Sequence, residues 1–506
     1  MRYLWRNIFV FLYASLIAGV GIFFSYILSS IAGFIFGLVT FLITLFFVFL
    51  IIHPKFNAWK YIVPAFMLMV IFMIYPIIYT IRIAFTNYGT GHILTKEQVV
   101  EQLEKETFTP ADSKNYIYEV YVNKKGEIKL LFQDEEENVY IVKDNKLISL
   151  GVKNFPNEID GFTKIPSDKK FSKLSEVQKL EYHLENGIVL KMSDLLHFST
   201  LRQRYKYIPE EDALYDYMNN EKLVAKNGFF VRSNGEELLP GFVEDVGWEN
   251  FKRLIKDERV SKPFFRVFSW TVIWAGVTTL LNFAVGLGLA LLMSDKNLRF
   301  KSLYRTLLIV PWAIPAFISL LIWVGLLNQE VGVVNRILNS IIGVKIPWFL
   351  DTFWARVALF IVNLWLGFPY MMTVCLGALQ SIPDELYEAS KVDGATPRQQ
   401  FWNITLPLLL TAIGPLLVGS FSFNFNNFNV IYLLTAGRPP MADVSTVAGT
   451  TDILISYTYK LAFEGGRGQD YGLAATISII VFLIIATISV FNFWISGMLK
   501  REVRFE

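Results

Sequence analysis

Only one cysteine, Cys375, and four histidines occur in 506 residues. A lone cysteine excludes an intrachain disulfide, and inside an apolar run it packs as a small hydrophobe. His53, His92, His183 and His197 are scattered with no ligand-like spacing, so no metal site and no catalytic constellation are expected. The dipeptide Gly-Lys is absent, which excludes a P-loop and ATP binding by that route. Charge is missing over long stretches, with none from Asn7 to Ile52. That is about twice the ~20 residues one membrane helix needs, so two helices fit better than a cleavable signal peptide. Ser29-Ser30 and Gly33 mark the expected reversal. With 53% hydrophobic residues, 16% aromatics and a mean hydropathy of +0.41, the composition is that of an integral membrane protein. Positive charge hugs the apolar runs instead of forming a basic face, which argues against a nucleic-acid partner and leaves membrane lipid as the surroundings.

The expected fold class is an α-helical polytopic membrane protein with eight transmembrane helices and an inserted α+β domain. The spans fall at about 8–28, 32–52, 62–84, 265–293, 305–327, 353–379, 404–434 and 472–497. Three domains follow: 1–85 with three spans, 86–262 as the insert, and 263–506 as a five-span core. Arg2 and Arg6, Lys55 and Lys60, then Lys296, Arg299, Lys301 and Arg305 flank the spans. Lys391 and Arg398, and finally Lys500, Arg501 and Arg504, complete the set. With eight spans all five groups fall on one side, which the positive-inside rule makes cytoplasmic, with both termini. The insert then lies outside.

That insert holds about 30 of the 44 acidic residues. Thr95 and Gln98 have capping-box spacing before a helix over 95–106. A hairpin is expected from 116–122 and 128–132 around Lys124-Lys125-Gly126, with more strand over 139–150. Residues 176–184 read as helical. Trp248, Phe251, Leu254 and Ile255 line one side of a helix on the membrane surface, leading to Ser261-Lys262-Pro263 and the fourth span. The insert is a folded, partner-contacting module or a solvated spacer. The glycine-rich segment 437–470 reads as flexible enough to follow a partner.

Residues 388–407, EASKVDGATPRQQFWNITLP, lie between two apolar runs. Ser381 and Asp384 have capping-box spacing, Pro383 and acidic residues occupy a first turn, and Gly394 is placed to end the helix. Pro397 blocks continuation, and a second helix follows. A helix–turn–helix at the membrane surface, over 381–403, presents Glu388, Lys391 and Asp393.

In the seventh span Ser420, Asn424, Asn426, Asn427 and Asn429 sit among Phe421, Phe423, Phe425 and Phe428. An unpaired amide in an apolar medium costs about 2–7 kcal/mol, so these residues face a polar cavity or bond neighbouring helices. Helical spacing puts Ser420, Asn424 and Asn427 on one side. Amides suit vicinal sugar hydroxyls, and aromatic faces suit sugar C–H surfaces. Gly367-Phe368-Pro369-Tyr370 is expected to kink the sixth span, and Pro311-Trp312-Ala313-Ile314-Pro315 makes the fifth irregular.

Glu388-Ala389-Ser390, Asp393-Gly394-Ala395 and Ile404-Thr405-Leu406-Pro407 together resemble the "EAA" coupling loop of ABC-importer permeases, whose cytoplasmic knob fits a cleft in the ATPase. Over essentially its full length the chain resembles the larger permeases of maltose/maltodextrin importers. The matching stretches are 366–370, 378–394, 404–409, 423–428 and 457–473. The resemblance implies a type I importer permease, with Glu388, Ala389, Ser390, Asp393 and Gly394 contacting the ATPase. It implies a mid-membrane sugar site at Gly367, Tyr370, Ser420, Asn424 and Asn427. Trp312 and Ala316 stand where the family has a tyrosine and a serine, which substitutes an indole, removes a hydroxyl and leaves sugar length open. Implied partners are a second, shorter permease, two copies of an ATPase subunit, and a soluble maltose/maltodextrin-binding protein. The cargo is maltose or maltodextrin. No cofactor is bound by this chain, ATP and Mg being used by the partner ATPase.

Three other readings remain. A permease for another neutral oligosaccharide fits the same spans; an anionic solute does not, since no Arg or Lys lies deep in spans four to eight. A membrane enzyme acting on lipid-linked sugars would need carboxylates near a membrane face. A sensor would need a signalling domain.

Overall fold

The computed structural model describes residues 2–32, 34–53, 59–295, 298–444, 447–464 and 468–495. Gly33, Lys55, Lys296, Lys500, Arg501, Arg504 and Gly465-Gly466-Arg467 lie outside the described residues. The chain divides into two compact units, Met1–Ile83 and Ala84–Glu506.

The first unit is built from α1 (Arg2–Ala32), α2 (Phe34–Ile52), α3 (Trp59–Met69) and most of α4 (Tyr75–Ala84). In lipid every backbone N–H and C=O must be satisfied within the segment, so these uncharged runs become helices. Ala14, Phe47, Leu50 and Ile51 form their buried contact. Ser29 and Ser30 remain inside α1, so the reversal falls later than the serines suggest. A π-helical turn, Val70–Ile74, joins α3 to α4 just before Pro76, whose missing N–H frees a carbonyl.

In the second unit, α5 (Lys96–Glu104) opens on a complete Thr95–Gln98 capping box. The hairpin Asn115–Val122 with Ile128–Gln133 forms and extends through Val139–Lys143 and Lys146–Ser149 into a ten-stranded sheet. A separate five-stranded antiparallel sheet runs from Tyr205–Ile208 to Glu237–Leu238. The insert is therefore folded. The helix expected over 176–184 is not there. Leu174–Val177 makes one turn, and Glu181–His183 is a strand paired with Val189–Lys191, because Tyr182 packs against the sheet core.

A short amphipathic helix, α6 (Glu249–Lys256), follows, with Leu254 buried. Its Asn250 donates to the carbonyls of Ala84 (3.0 Å) and Thr86 (2.8 Å), tying the base of the insert to the core. The helix of the fourth span begins before Ser261-Lys262-Pro263. All three lie inside α7 (Glu258–Ser294), which Asp257 caps by accepting from Arg259 N–H, and Pro263 is tolerated in its early turns.

The fifth span is broken rather than straight. α8 (Lys301–Ala313) and α9 (Ala316–Leu326) meet at 89°. Ile314, forced from helical geometry by the following Pro315, has ψ 131°. After α10 (Val333–Ile342), α11 (Thr352–Gln380) runs as one helix through Gly367 and Pro369. Residues 381–403 contain α12 (Asp384–Val392) and one turn, α13 (Pro397–Gln400). A π turn, Phe401–Thr405, leads into α14 (Leu406–Phe425), again beside a proline, Pro407. α14 stops at Asn426 and α15 (Phe428–Leu434) restarts. α16 (Leu454–Phe463) and α17 (Tyr471–Ile495) complete the core.

Six helices are long and apolar enough to cross a membrane among the described residues, seven if α8 and α9 count as one. The second expected span, 32–52, has only the shorter apolar helix Gly37–Ile52. Trp270, Trp274, Leu320, Val362 and Ile431 lock α7, α9, α11 and α15 together; Leu287, Met372, Cys375 and Ile413 do the same for α7, α11 and α14. Since lipid tails are as apolar as leucine, close van der Waals packing and interhelical hydrogen bonds hold these contacts.

The segment 437–470 is not a free loop. It contains α16, and fully buried Asp452 accepts from Lys460 Nζ (2.8 Å), Ser456 Oγ (2.8 Å) and Gly449 N–H (2.6 Å). Burial pushes the Asp452 carboxyl up from its ordinary range, and the Lys460 ammonium pulls it back. The exposed Asp443 is held down to about 2 by its hydrogen bond to Arg266, with Lys262 adding a second cation.

Candidate coupling segment and membrane polar site

α12 starts without the Ser381 capping box. Ser381 instead ends α11, its hydroxyl donating to Ala378 O (2.7 Å), and Pro383 occupies the N-cap of α12. Asp384 and Glu385 in the first turn and Lys391 in the last suit the helix dipole. Gly394 adopts φ +79°, the left-handed turn where a side chain would be strained, and its N–H bonds Lys391 O (3.1 Å). The capping box belongs to the next turn: Thr396 and Gln399 satisfy each other's backbone, with Pro397 at the first helical position.

The two helices are pinned from inside. Gln400, buried, donates to Tyr387 O (3.2 Å) and Ser390 Oγ (2.7 Å), and the Tyr387 hydroxyl meets Thr405 Oγ1 (3.0 Å). Glu388, Ala389, Asp393 and Gly394 are exposed, and Val392 is 88% exposed. Ser390 faces inward to Gln400. Sequence reasoning missed Gln400, whose burial could be foreseen only from the fold-back at Gly394.

In the membrane, Asn363, Gly367 and Tyr370 follow one face of α11 at helical spacing. Asn363 donates to Asn424 Oδ1 (3.2 Å), while Asn424 Nδ2 donates to Ser420 O (2.9 Å). Trp274 Nε1 reaches the Asn424 carbonyl (3.1 Å). Gly367 lies against Asn282 of α7. Tyr370 pairs with Trp312 of α8, ring centroids 6.2 Å apart, and both rings keep open surface. Asn363 and Asn282 were both missed in the sequence; each lies alone in an apolar run.

Ser420, Asn424 and Asn427 do not share one helix face as spacing suggested, because α14 ends between them. Asn427 is the N-cap of α15 and accepts from Val430 N–H (3.4 Å), a local bond that competes with the helix ladder. Asn426 instead lines a 440 Å³ groove with Ile455, Thr458, Ser478 and Phe482.

The family models agree with this architecture. Residues 283–505 match the binding-protein-dependent transport system inner membrane component, and residues 67–145 match the N-terminal region of the transmembrane subunit in PBP-dependent ABC transporters. Fold and matches define a multi-pass inner-membrane permease of the type I ABC importer class. The maltose/maltodextrin transport system permease protein MalF of Vibrio parahaemolyticus serotype O3:K6 is 36% identical over 96% of this chain and 94% of its own length. MalF of Escherichia coli K12 is 40% identical over 87% of each chain. The chain belongs to the MalF family of ABC transporter permeases. Among solved structures, a chain of a bacterial ABC transporter involved in alginate import is 27% identical, with a TM-score of 0.43 over 50% of this chain and 84% of that one.

Proposed function

We propose that this permease forms half of a maltose/maltodextrin channel in the bacterial cytoplasmic membrane. Its termini face the cytoplasm and its β-rich insert faces outside. A second, shorter permease completes the channel, and two copies of an ATPase subunit, holding ATP and Mg, dock at the coupling segment. A soluble sugar-binding protein delivers cargo to the insert. The observation that carries the coupling role is the exposed α12–Gly394 knob, braced from within by Gln400 so that a push on Glu388, Ala389 or Asp393 reaches α11 and α14 as one piece. Ser390 holds the brace.

The sugar site is read as a wall of Trp312, Gly367, Tyr370, Ser420 and Asn427, with Asn424 braced behind it by Asn363. Aromatic faces and neutral polar groups suit a polyhydroxylated, uncharged solute. Substrate passes inward by alternating access as the ATPase closes and reopens. Another neutral oligosaccharide is the second reading, favoured by the broad exposed indole of Trp312.

Affinity purification from native membranes in mild detergent tests this. An ATPase and a second permease should co-purify and be lost on mutating Glu388 and Gly394. Robust recovery of this chain alone would refute the importer assignment.

A further inference from the structure

α7 and α11 touch through two successive rungs. A Cβ on Gly286 would lie 2.8 Å from Met372 N and 2.9 Å from Met371 Cβ. One turn away on both helices, a Cβ on Gly367 would lie 2.8 Å from Asn282 Cγ and 2.9 Å from Asn282 Oδ1. Such distances are shorter than carbon contacts permit: a side chain at Gly286 would meet the Met371–Met372 backbone, and one at Gly367 would displace the Asn282 amide from the space beside it.

Asn282 is 4% exposed, and its Oδ1 takes no hydrogen bond from the described residues. One turn earlier the buried hydroxyls of Thr278 and Thr279 are likewise unpartnered. Packing alone would be served better by leucine, which fills similar volume with no polar group to desolvate. The amide is therefore placed for its position rather than for stability. It abuts the one turn of α11 that carries both Gly367 and Tyr370.

We propose that Asn282 is a positioning residue for the sugar site: seated on Gly367, it sets where α11 presents Tyr370 to the channel. The unspent Oδ1 biases this contact toward release, because separating the helices lets it accept a hydroxyl from water or sugar. The inference rests on Gly367 and Tyr370 lining the sugar path.

The complete transporter, reconstituted with its binding protein and maltodextrin, gives the test as sugar moved per ATP hydrolysed. Gly367→Ala should cut this ratio by roughly tenfold or more, since the new methyl overlaps Asn282 and shifts the site. Adding Asn282→Ala should bring it back to within roughly threefold of wild type. Asn282→Ala alone should lower the ratio while binding-protein-stimulated ATP hydrolysis holds, a split that simple loss of folded protein would not give. A Gly367→Ala defect that persists in the double variant, or no defect at all, would overturn the proposal. So would equal loss of ATP hydrolysis and uptake in Asn282→Ala. Wild-type transporter that hydrolyses ATP but moves no maltodextrin would instead sink the sugar assignment; the same rescue is then read with the neutral oligosaccharide it does move.

Discussion

Asn363 Nδ2 donates to Asn424 Oδ1 across α11 and α14 at 3.2 Å, and Asn424 returns its own Nδ2 to Ser420 O at 2.9 Å. The oxygen of the Asn424 side chain thus ties α14 to α11, and its nitrogen is spent on the turn before it in α14. Four asparagines in six residues looked alike in the sequence, yet they divide into a brace (Asn424), a helix cap (Asn427), and two exposed amides, Asn426 and Asn429.

Removing the brace should loosen the core. Asn424→Ala leaves the Asn363 amide unpaired, at about 1–3 kcal/mol. Asn363→Ala with Asn424→Ala together should cost less than the sum, with a coupling of about 1 kcal/mol. Thermal unfolding of the purified complex across the four variants measures this; strict additivity would deny the bond its role.

At the proposed coupling segment, Gly394→Pro forbids the positive φ and removes the N–H that bonds Lys391 O. The chain should still insert in the membrane, and ATP-driven uptake should vanish. Normal uptake by this variant would remove the turn from the coupling path.

The buried Asp452–Lys460 pair predicts a large asymmetry. Lys460→Met strands a carboxylate that is fully buried and should destabilise the core around α16 by about 3–5 kcal/mol. Asp452→Asn combined with Lys460→Met should recover much of that loss, as followed by melting temperature. Equal melting of wild type and Lys460→Met would show that the pair is not buried in solution.

Asp443 gives a pH dependence. Its folded pKa of about 2 lies below the ordinary 3.8, so its tether to Arg266 and Lys262 is fully present above pH 3.8 and is lost as pH falls toward 2. Hydrogen-exchange protection over 438–444, taken relative to the intrinsic exchange rate at each pH, should fall in that window and stay flat from pH 5 to 8. Asp443→Asn should lower this protection at every pH.

Sequence alone determined the membrane class, the approximate spans, the Thr95 cap, the first hairpin and the Gly394 turn. Each rests on a short-range rule: an apolar run as long as a bilayer is thick, a capping side chain three residues from its donor, a backbone angle only glycine takes readily. Tertiary structure decided the rest. The strand at Glu181–His183 exists because a sheet accepts Tyr182, Ser381 caps the helix behind it rather than the one ahead, and 437–470 is held by a buried ion pair its glycines conceal. The same holds at the proposed site. Asn282 lies 85 positions from Gly367, and only the crossing of α7 and α11 sets the amide of one against the bare backbone of the other.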